Sequence, residues 1–145
     1  MKNIYLLVLS LFTINAHSIS SELIADLNCM GYKDSEYAAL KSVKEPSTEV
    51  LKSISKIENQ MMYLYKKNQK DIDGDEASKD KPLMKYSNPG MGWYSDYLNE
   101  NQKCLNMGLD STSTKNCRTT AVNIFLGKIK SACEMPLKNF KITED

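Results

Sequence analysis

One amphipathic stretch, residues 47–70, constrains the fold of this chain more than any other feature. Its apolar side chains recur at every third or fourth position, which matches the repeat of an α-helix and puts them on one face. Pro46 stops a helix from entering the stretch from upstream, and Ser47 or Thr48 can cap its start. The apolar face must be covered by other helices or by a partner, and it consists of Val50, Ile54, Ile57, Met61 and Leu64.

The first 18 residues are typical of a secretory signal peptide. Lys2 gives a positive start, residues 4–12 form an apolar run, and residues 16–18 offer small side chains to a signal peptidase. The apolar run is too short to span a membrane. We therefore expect cleavage after Ser18, one mature domain over residues 19–145, and a periplasmic or secreted protein without a stable membrane anchor.

The mature chain carries little that points to catalysis or to nucleic acid. Removing Lys2 from the 19 basic residues balances the 18 acidic ones, so the basic excess of a nucleic-acid binder is absent. His17 is the only histidine, and it leaves with the signal peptide. Histidine is then lost as a general base and as a metal ligand. We expect a protein that is not an enzyme, with no catalytic residues, no metal and no cofactor.

The remaining apolar patterns predict further helices. Residues 19–30 form one, with Gly31 as its end, and residues 35–44 form a shorter one. Another ends near Gly108, and residues 117–133 form the last. No stretch alternates with the period of two that a strand needs. The expected fold is all-α: a small disulfide-linked bundle of four to five helices.

Residues 70–92 read as a mobile loop that is acidic in its first half. The sequence Asp71-x-Asp73-x-Asp75 resembles the start of a calcium loop, but Glu76 stands where the glycine belongs and Pro82 where the last ligand belongs. A solvated loop is therefore favoured over a calcium site.

An aromatic group follows this loop directly. Trp93, Tyr94 and Tyr97 either anchor the core at a helix start or form a partly exposed patch that a partner covers. The predicted partner-binding residues combine this group with acids of the loop: Asp73, Asp75, Glu76, Trp93, Tyr94 and Tyr97.

An even number of cysteines in an exported chain predicts two disulfides. Cys117 and Cys133 cannot pair across one continuous helix, because about 24 Å would separate them and a disulfide needs Cα atoms within about 7 Å. This also excludes the partner pairing of Cys29 with Cys104. Two connectivities remain, and the favoured one joins Cys104 to Cys117, across a short helix–loop–helix, and Cys29 to Cys133.

Two short segments resemble a known family. Residues 29–35, Cys-Met-Gly-Tyr-Lys-Asp-Ser, look like the early cysteine segment of the periplasmic immunity proteins that neutralise type VI secretion amidase effectors. Lys103-Cys104-Leu105, with Asp110-Ser111 beyond, is similar to their later Lys-Cys segment. The resemblance implies a small, exported, helical and disulfide-bonded protein that blocks the active site of a peptidoglycan-cutting toxin.

The chain departs from that family in two ways. Its segment 71–92 looks longer, and Cys117 and Cys133 are additional. If the two cysteines of the family pair with each other, the resemblance implies a bond between Cys29 and Cys104, against the favoured connectivity.

We predict an exported inhibitor or immunity protein that binds a toxin or another cell-wall-degrading enzyme. One alternative is an accessory subunit of an envelope secretion or conjugation apparatus, with the stripe 50–64 packed on a partner. A secreted effector is another. The expected partner is a protein, and self-association as a homodimer stays open.

Overall fold

A computed structural model describes residues 19–142, and within them the chain forms four α-helices and no strand. The predicted signal peptide lies outside the described residues. The all-α fold is confirmed. The helices are α1 (Ser21–Lys41), α2 (Thr48–Glu76), α3 (Met84–Asn106) and α4 (Ser111–Cys133). No helix among the described residues has the length and apolar character needed to cross a membrane.

The predicted long helix is α2, and its apolar stripe faces the interior. Ser47 caps it, since the Ser47 hydroxyl accepts a hydrogen bond from the amide of Val50. Ile57 and Leu64 are buried, and the buried face continues to Asn68. The protein itself thus covers the stripe fully at Ile57 and Leu64 and partly at Val50, Ile54 and Met61.

The centre of the bundle is α1 and not α2. The other three helices all pack on α1, and α3 does so most extensively. The predicted break at Gly31 is wrong, because α1 runs through it as one helix. Gly31 is buried where α1 and α3 cross, and its missing side chain serves this close approach rather than a helix end.

Most of the predicted loop 70–92 is helical. Only residues 77–83 connect α2 to α3, so the loop prediction is wrong at both of its ends. Ile72 holds the end of α2 in place by packing on the buried cluster of Leu23, Leu27 and Leu83. The carboxylate of Asp75 accepts a hydrogen bond from the amide of Leu83 at 2.7 Å, which ties the connection to the helix end.

Helix α3 begins nine residues before Trp93 and contains Pro89. The segment around Pro89 belongs to the predicted loop, yet it is helical. A proline in the second turn removes one backbone hydrogen bond, and its ring crowds the carbonyl group of Lys85, at a cost of about 3 kcal/mol. Packing on α1 compensates: the Ser35 hydroxyl donates to the carbonyl oxygens of Gly90 and Met91, at 2.5 and 3.0 Å. Helix α3 ends near Gly108 as predicted, and Gly108 has a φ of 64°.

Helix α4 also begins earlier than predicted. The Asp110 carboxylate caps it by accepting from the amides of Thr112 and Ser113, so residues 111–116 are helical and not a loop. The chain then turns after Cys133, and Pro136 is buried there.

The two disulfides join the favoured cysteine pairs. Cys29 bonds Cys133 with 4.8 Å between their Cα atoms, and Cys104 bonds Cys117 with 5.7 Å. The Cys29–Cys104 pairing that the resemblance implies is therefore wrong. The first bond lies in the main core, beside Leu64, Phe125 and Ile129, and connects the end of α4 to the middle of α1.

Candidate functional site

Helices α3 and α4 form a hairpin that is braced twice. The Cys104–Cys117 bond joins the two helices next to their connection, and the Cys29–Cys133 bond fixes the base of α4 to α1. A ring contact adds to this, because Tyr97 of α3 stacks on Phe125 of α4 with 5.0 Å between centroids. The α3–α4 hairpin (residues 84–133) therefore holds its surface side chains on a rigid frame.

A groove of about 340 Å³ runs along this hairpin. Every residue that lines it belongs to α3, α4 or their connection, and the lining is mainly apolar. Tyr97 and Phe125 form its floor together with the Cys104–Cys117 bond. The volume suits one or two large side chains and falls at the small end of the range for ligand sites.

Two exposed apolar side chains border the groove. Ile124 is 54% exposed and Met107 is 61% exposed, although both are large and apolar. The polar part of the border is the ion pair between Lys103 and Glu100. An apolar centre beside a charged border is the usual arrangement of a protein-binding surface.

Trp93 is half-buried at one end of the groove. It packs against the main core, and its indole N–H is buried without a hydrogen-bond acceptor among the described residues. The ammonium of Lys128 lies 6.0 Å from the centroid of its ring, which is the range of a cation–π contact. Trp93 thus packs on the core and also contributes to an accessible surface, and its coverage by a partner stays a prediction.

The structure separates the predicted partner-binding residues into two groups. Trp93 and Tyr97 line the groove, and Tyr94 stacks on Tyr97 with 6.3 Å between centroids. The three acids, Asp73, Asp75 and Glu76, lie instead in the last turn of α2 and are absent from the groove lining.

Two of these acids are engaged within the chain. Asp73 accepts from the Tyr65 hydroxyl at 2.7 Å, which raises the pKa of Tyr65 because the bond to the carboxylate favours the protonated phenol. Asp75 holds the amide of Leu83. These contacts give both carboxylates a role in the structure of the α2 end.

Sequence reasoning missed Ile124 and Met107. The sequence predicts a buried face of α4 made of Val122, Phe125, Leu126 and Ile129. Ile124 is not part of that face, and Met107 belongs to the end of α3. The sequence does place Ile124, a large apolar residue, outside the buried face of its helix. Single apolar residues of this kind are common on protein surfaces and do not by themselves indicate a binding site.

The densest charged cluster lies away from this groove, between α1 and α2. The ammonium of Lys67 contacts Glu22 at 2.7 Å and the buried Asp26 at 2.8 Å, and Asn68 donates to Asp26 at 2.9 Å. The hydrogen bond from Lys67, followed by its charge, lowers the pKa of Glu22. Burial disfavours the charged form of Lys67, but its bonds to Asp26 and Glu22 outweigh this and raise its pKa. Every member has a partner, so the cluster acts as a link between helices.

Within residues 19–142, no group of three or more His, Cys, Asp or Glu side chains is placed to hold a metal ion. No family model matches the chain, and no curated protein or solved structure matches it either.

Proposed function

We propose that this protein is an exported inhibitor or immunity protein, periplasmic or secreted, that binds a toxin or another cell-wall-degrading enzyme through the α3–α4 hairpin. The observation that carries the proposal is the apolar groove on a doubly disulfide-braced hairpin. Disulfides persist in oxidising compartments, which supports an exported protein. The resemblance of residues 29–35 and 103–105 to periplasmic immunity proteins points the same way.

Rigidity is the physical reason to prefer a binding role for this surface. A side chain that is already ordered loses little entropy on association, so more of the contact energy appears as affinity. The groove would take a large apolar side chain of the partner, and the border formed by Ile124 and Met107 would exclude water around it. The ion pair of Glu100 and Lys103 would then lie at the polar rim.

The test is binding to the product of a neighbouring toxin gene. The exported, oxidised protein should form a nanomolar complex with that product in calorimetry, and its periplasmic expression should protect cells against the toxin. Absence of both complex and protection for every neighbouring effector would refute the proposal.

A matched pair of variants tests the groove. Ile124→Glu puts a charge at the groove border, whereas Leu126→Glu puts the same charge on the same helix outside the groove lining. The two side chains are similarly exposed, at 54% and 47%, so both variants should fold. We expect Ile124→Glu to weaken the complex about a hundredfold and Leu126→Glu to leave it intact. Equal effects of the two substitutions would place the interface elsewhere.

A further inference from the structure

The outer face of α3 carries no charge. Four apolar side chains on it, Met84, Met91, Leu98 and Leu105, are spaced seven residues apart and are each 45–49% exposed. Between them lie small or amide side chains, all exposed as well. We call these seven residues the uncharged face of α3: Met84, Asn88, Met91, Ser95, Leu98, Gln102 and Leu105.

The charged residues of α3 all lie on another side of the helix. At about 100° per residue, Lys85, Asp96, Glu100 and Lys103 group on an arc centred roughly 140° from Met91. A helix with one fully solvated side normally carries charge there, and 26% of this chain is charged. The uncharged face is also distinct from the groove, because none of its seven residues lines the groove.

We infer that this face is covered by a second copy of the same chain, α3 against α3, in a two-fold symmetric dimer. Apolar residues seven positions apart return to the same side of a helix, and they match one of the two apolar positions per seven residues in helices that pack along each other. The absence of charge favours a second copy of α3 as the covering helix. A charged partner would find nothing to pair with on this face, whereas two copies of the face bring no like charges together. A two-fold contact uses the same patch on both subunits, and this patch is self-complementary in that sense.

The arrangement we infer is antiparallel. Seen from Met84 to Leu105, the apolar residues are placed symmetrically about Ser95, so the two ends of one helix can meet the opposite ends of its copy. Met91 then lies near the partner's Leu98, and the helix dipoles oppose each other favourably. Ser95 is small and stands at the crossing point, which permits a close approach.

The contact is limited in size. The row from Met84 to Leu105 is about 31 Å long and one helix wide, roughly 10–12 Å. At about 340 Å² per subunit this is below the standard size of specific interfaces and in the range of weak, transient contacts. We therefore expect reversible association with a micromolar dissociation constant. This inference is independent of the proposed inhibitor role, because it concerns another face of the hairpin.

Sedimentation of the oxidised protein at about 1 to 500 µM tests the inference directly, since this range spans a micromolar dissociation constant. The unmodified protein should shift from monomer to dimer, and Leu98→Glu should weaken association about a hundredfold, because two carboxylates are buried per dimer. Leu51→Glu is the matched control, since Leu51 is exposed on α2 at 53%, and it should associate normally. Circular dichroism should show that each variant is folded. Met91→Glu is a second variant on the same face and should weaken association as Leu98→Glu does.

The double variant Met91→Lys/Leu98→Glu tests the orientation, because antiparallel packing puts each lysine beside the partner's glutamate. It should recover much of the association that Leu98→Glu loses. A monomer over the whole concentration range, or a dimer that Leu98→Glu leaves unchanged, would overturn the inference. Monomeric protein that binds phosphatidylcholine vesicles through this face would overturn it in favour of a lipid surface.

Discussion

Gly31 of α1 and Gly90 of α3 lie directly against each other at the point where the two helices cross. A Cβ atom added to Gly90 would be 2.6 Å from the carbonyl carbon of Gly31 and 3.0 Å from its Cα. One added to Gly31 would lie 2.9 Å from the carbonyl carbon of Ser87, and closer still to its oxygen. The missing side chains therefore set how near α3 comes to the central helix.

Gly31→Ala and Gly90→Ala should each destabilise the protein by about 3 kcal/mol or more. The new methyl group meets backbone, which cannot move aside as a flexible side chain can. The gain in helix propensity, about 1 kcal/mol, does not compensate for this. Urea denaturation gives the free energy of unfolding of each variant. Gly127→Ala is the control, because nothing lies within 4 Å of its added Cβ, and we expect it to stabilise α4 slightly. Equal effects at the three positions would show that α1 and α3 do not cross closely.

Two carboxylates should make the protein sensitive to acid. The hydrogen bond and charge of Lys67 lower the pKa of Glu22 below 4.5, and hydrogen bonds from Ser113 and Thr112 lower that of Asp110 below 3.8. A lowered folded-state pKa means stabilisation that is present above the unfolded-state value and is lost as the pH falls through the folded one. Stability should therefore decline below about pH 4.5.

The variants Glu22→Gln and Asp110→Asn keep hydrogen-bonding oxygens but cannot titrate. Each should flatten the loss of stability between neutral pH and about pH 3, measured by urea denaturation, while lowering stability at neutral pH. Glu22 and Asp110 are both exposed, so both variants should fold. An acid profile that is identical to that of the unmodified protein would argue against the Lys67 and Ser113 contacts.

The two disulfides should differ in their contribution. The Cys29–Cys133 bond closes a loop of 104 residues and Cys104–Cys117 one of 13. On the chain-entropy account, losing the first costs about 4.7 kcal/mol and losing the second about 3 kcal/mol. Paired alanine variants and thermal melts test the order. The first pair is also the more buried, so its loss adds a packing defect; a larger effect of the Cys104–Cys117 pair would contradict the core position of Cys29.

Leu64 and Leu51 test whether the stripe of α2 faces the core. Leu64 is fully buried and Leu51 is 53% exposed on the same helix. Leu64→Ala should cost about 2–5 kcal/mol, because it leaves a cavity beside Phe125 and Ile129. Leu51→Ala should change stability by less than about 0.5 kcal/mol. Chemical denaturation compares them, and similar values for the two would mean that the stripe is not buried.

Sequence patterns correctly predicted the features of this fold that depend on residues close together in the chain. The stripe of α2, its Ser47 cap and the end of α3 near Gly108 follow from spacing and from single residues. A length argument excluded one of the three cysteine pairings, because a continuous α4 keeps Cys117 and Cys133 apart. The short connection between Cys104 and Cys117 then favoured the pairing that the structure has.

The errors arose where tertiary contacts decide. Gly31 and the segment around Pro89 carry the local signals of a helix end and of a turn, yet both lie within helices because α1 and α3 pack there through Gly31, Gly90 and Ser35. The groove was only partly foreseen for the same reason. Trp93 and Tyr97 stand out by their residue type, whereas the contribution of Ile124 depends on how α4 lies beside α3.

The central claim is an exported, oxidised chain with a disulfide-braced hairpin. Mass spectrometry of the protein purified from its native host, with peptide mapping under non-reducing conditions, tests it most directly. We predict a chain that begins at residue 19, with cross-linked peptides joining Cys29 to Cys133 and Cys104 to Cys117. An intact amino terminus together with four free thiols would contradict the account.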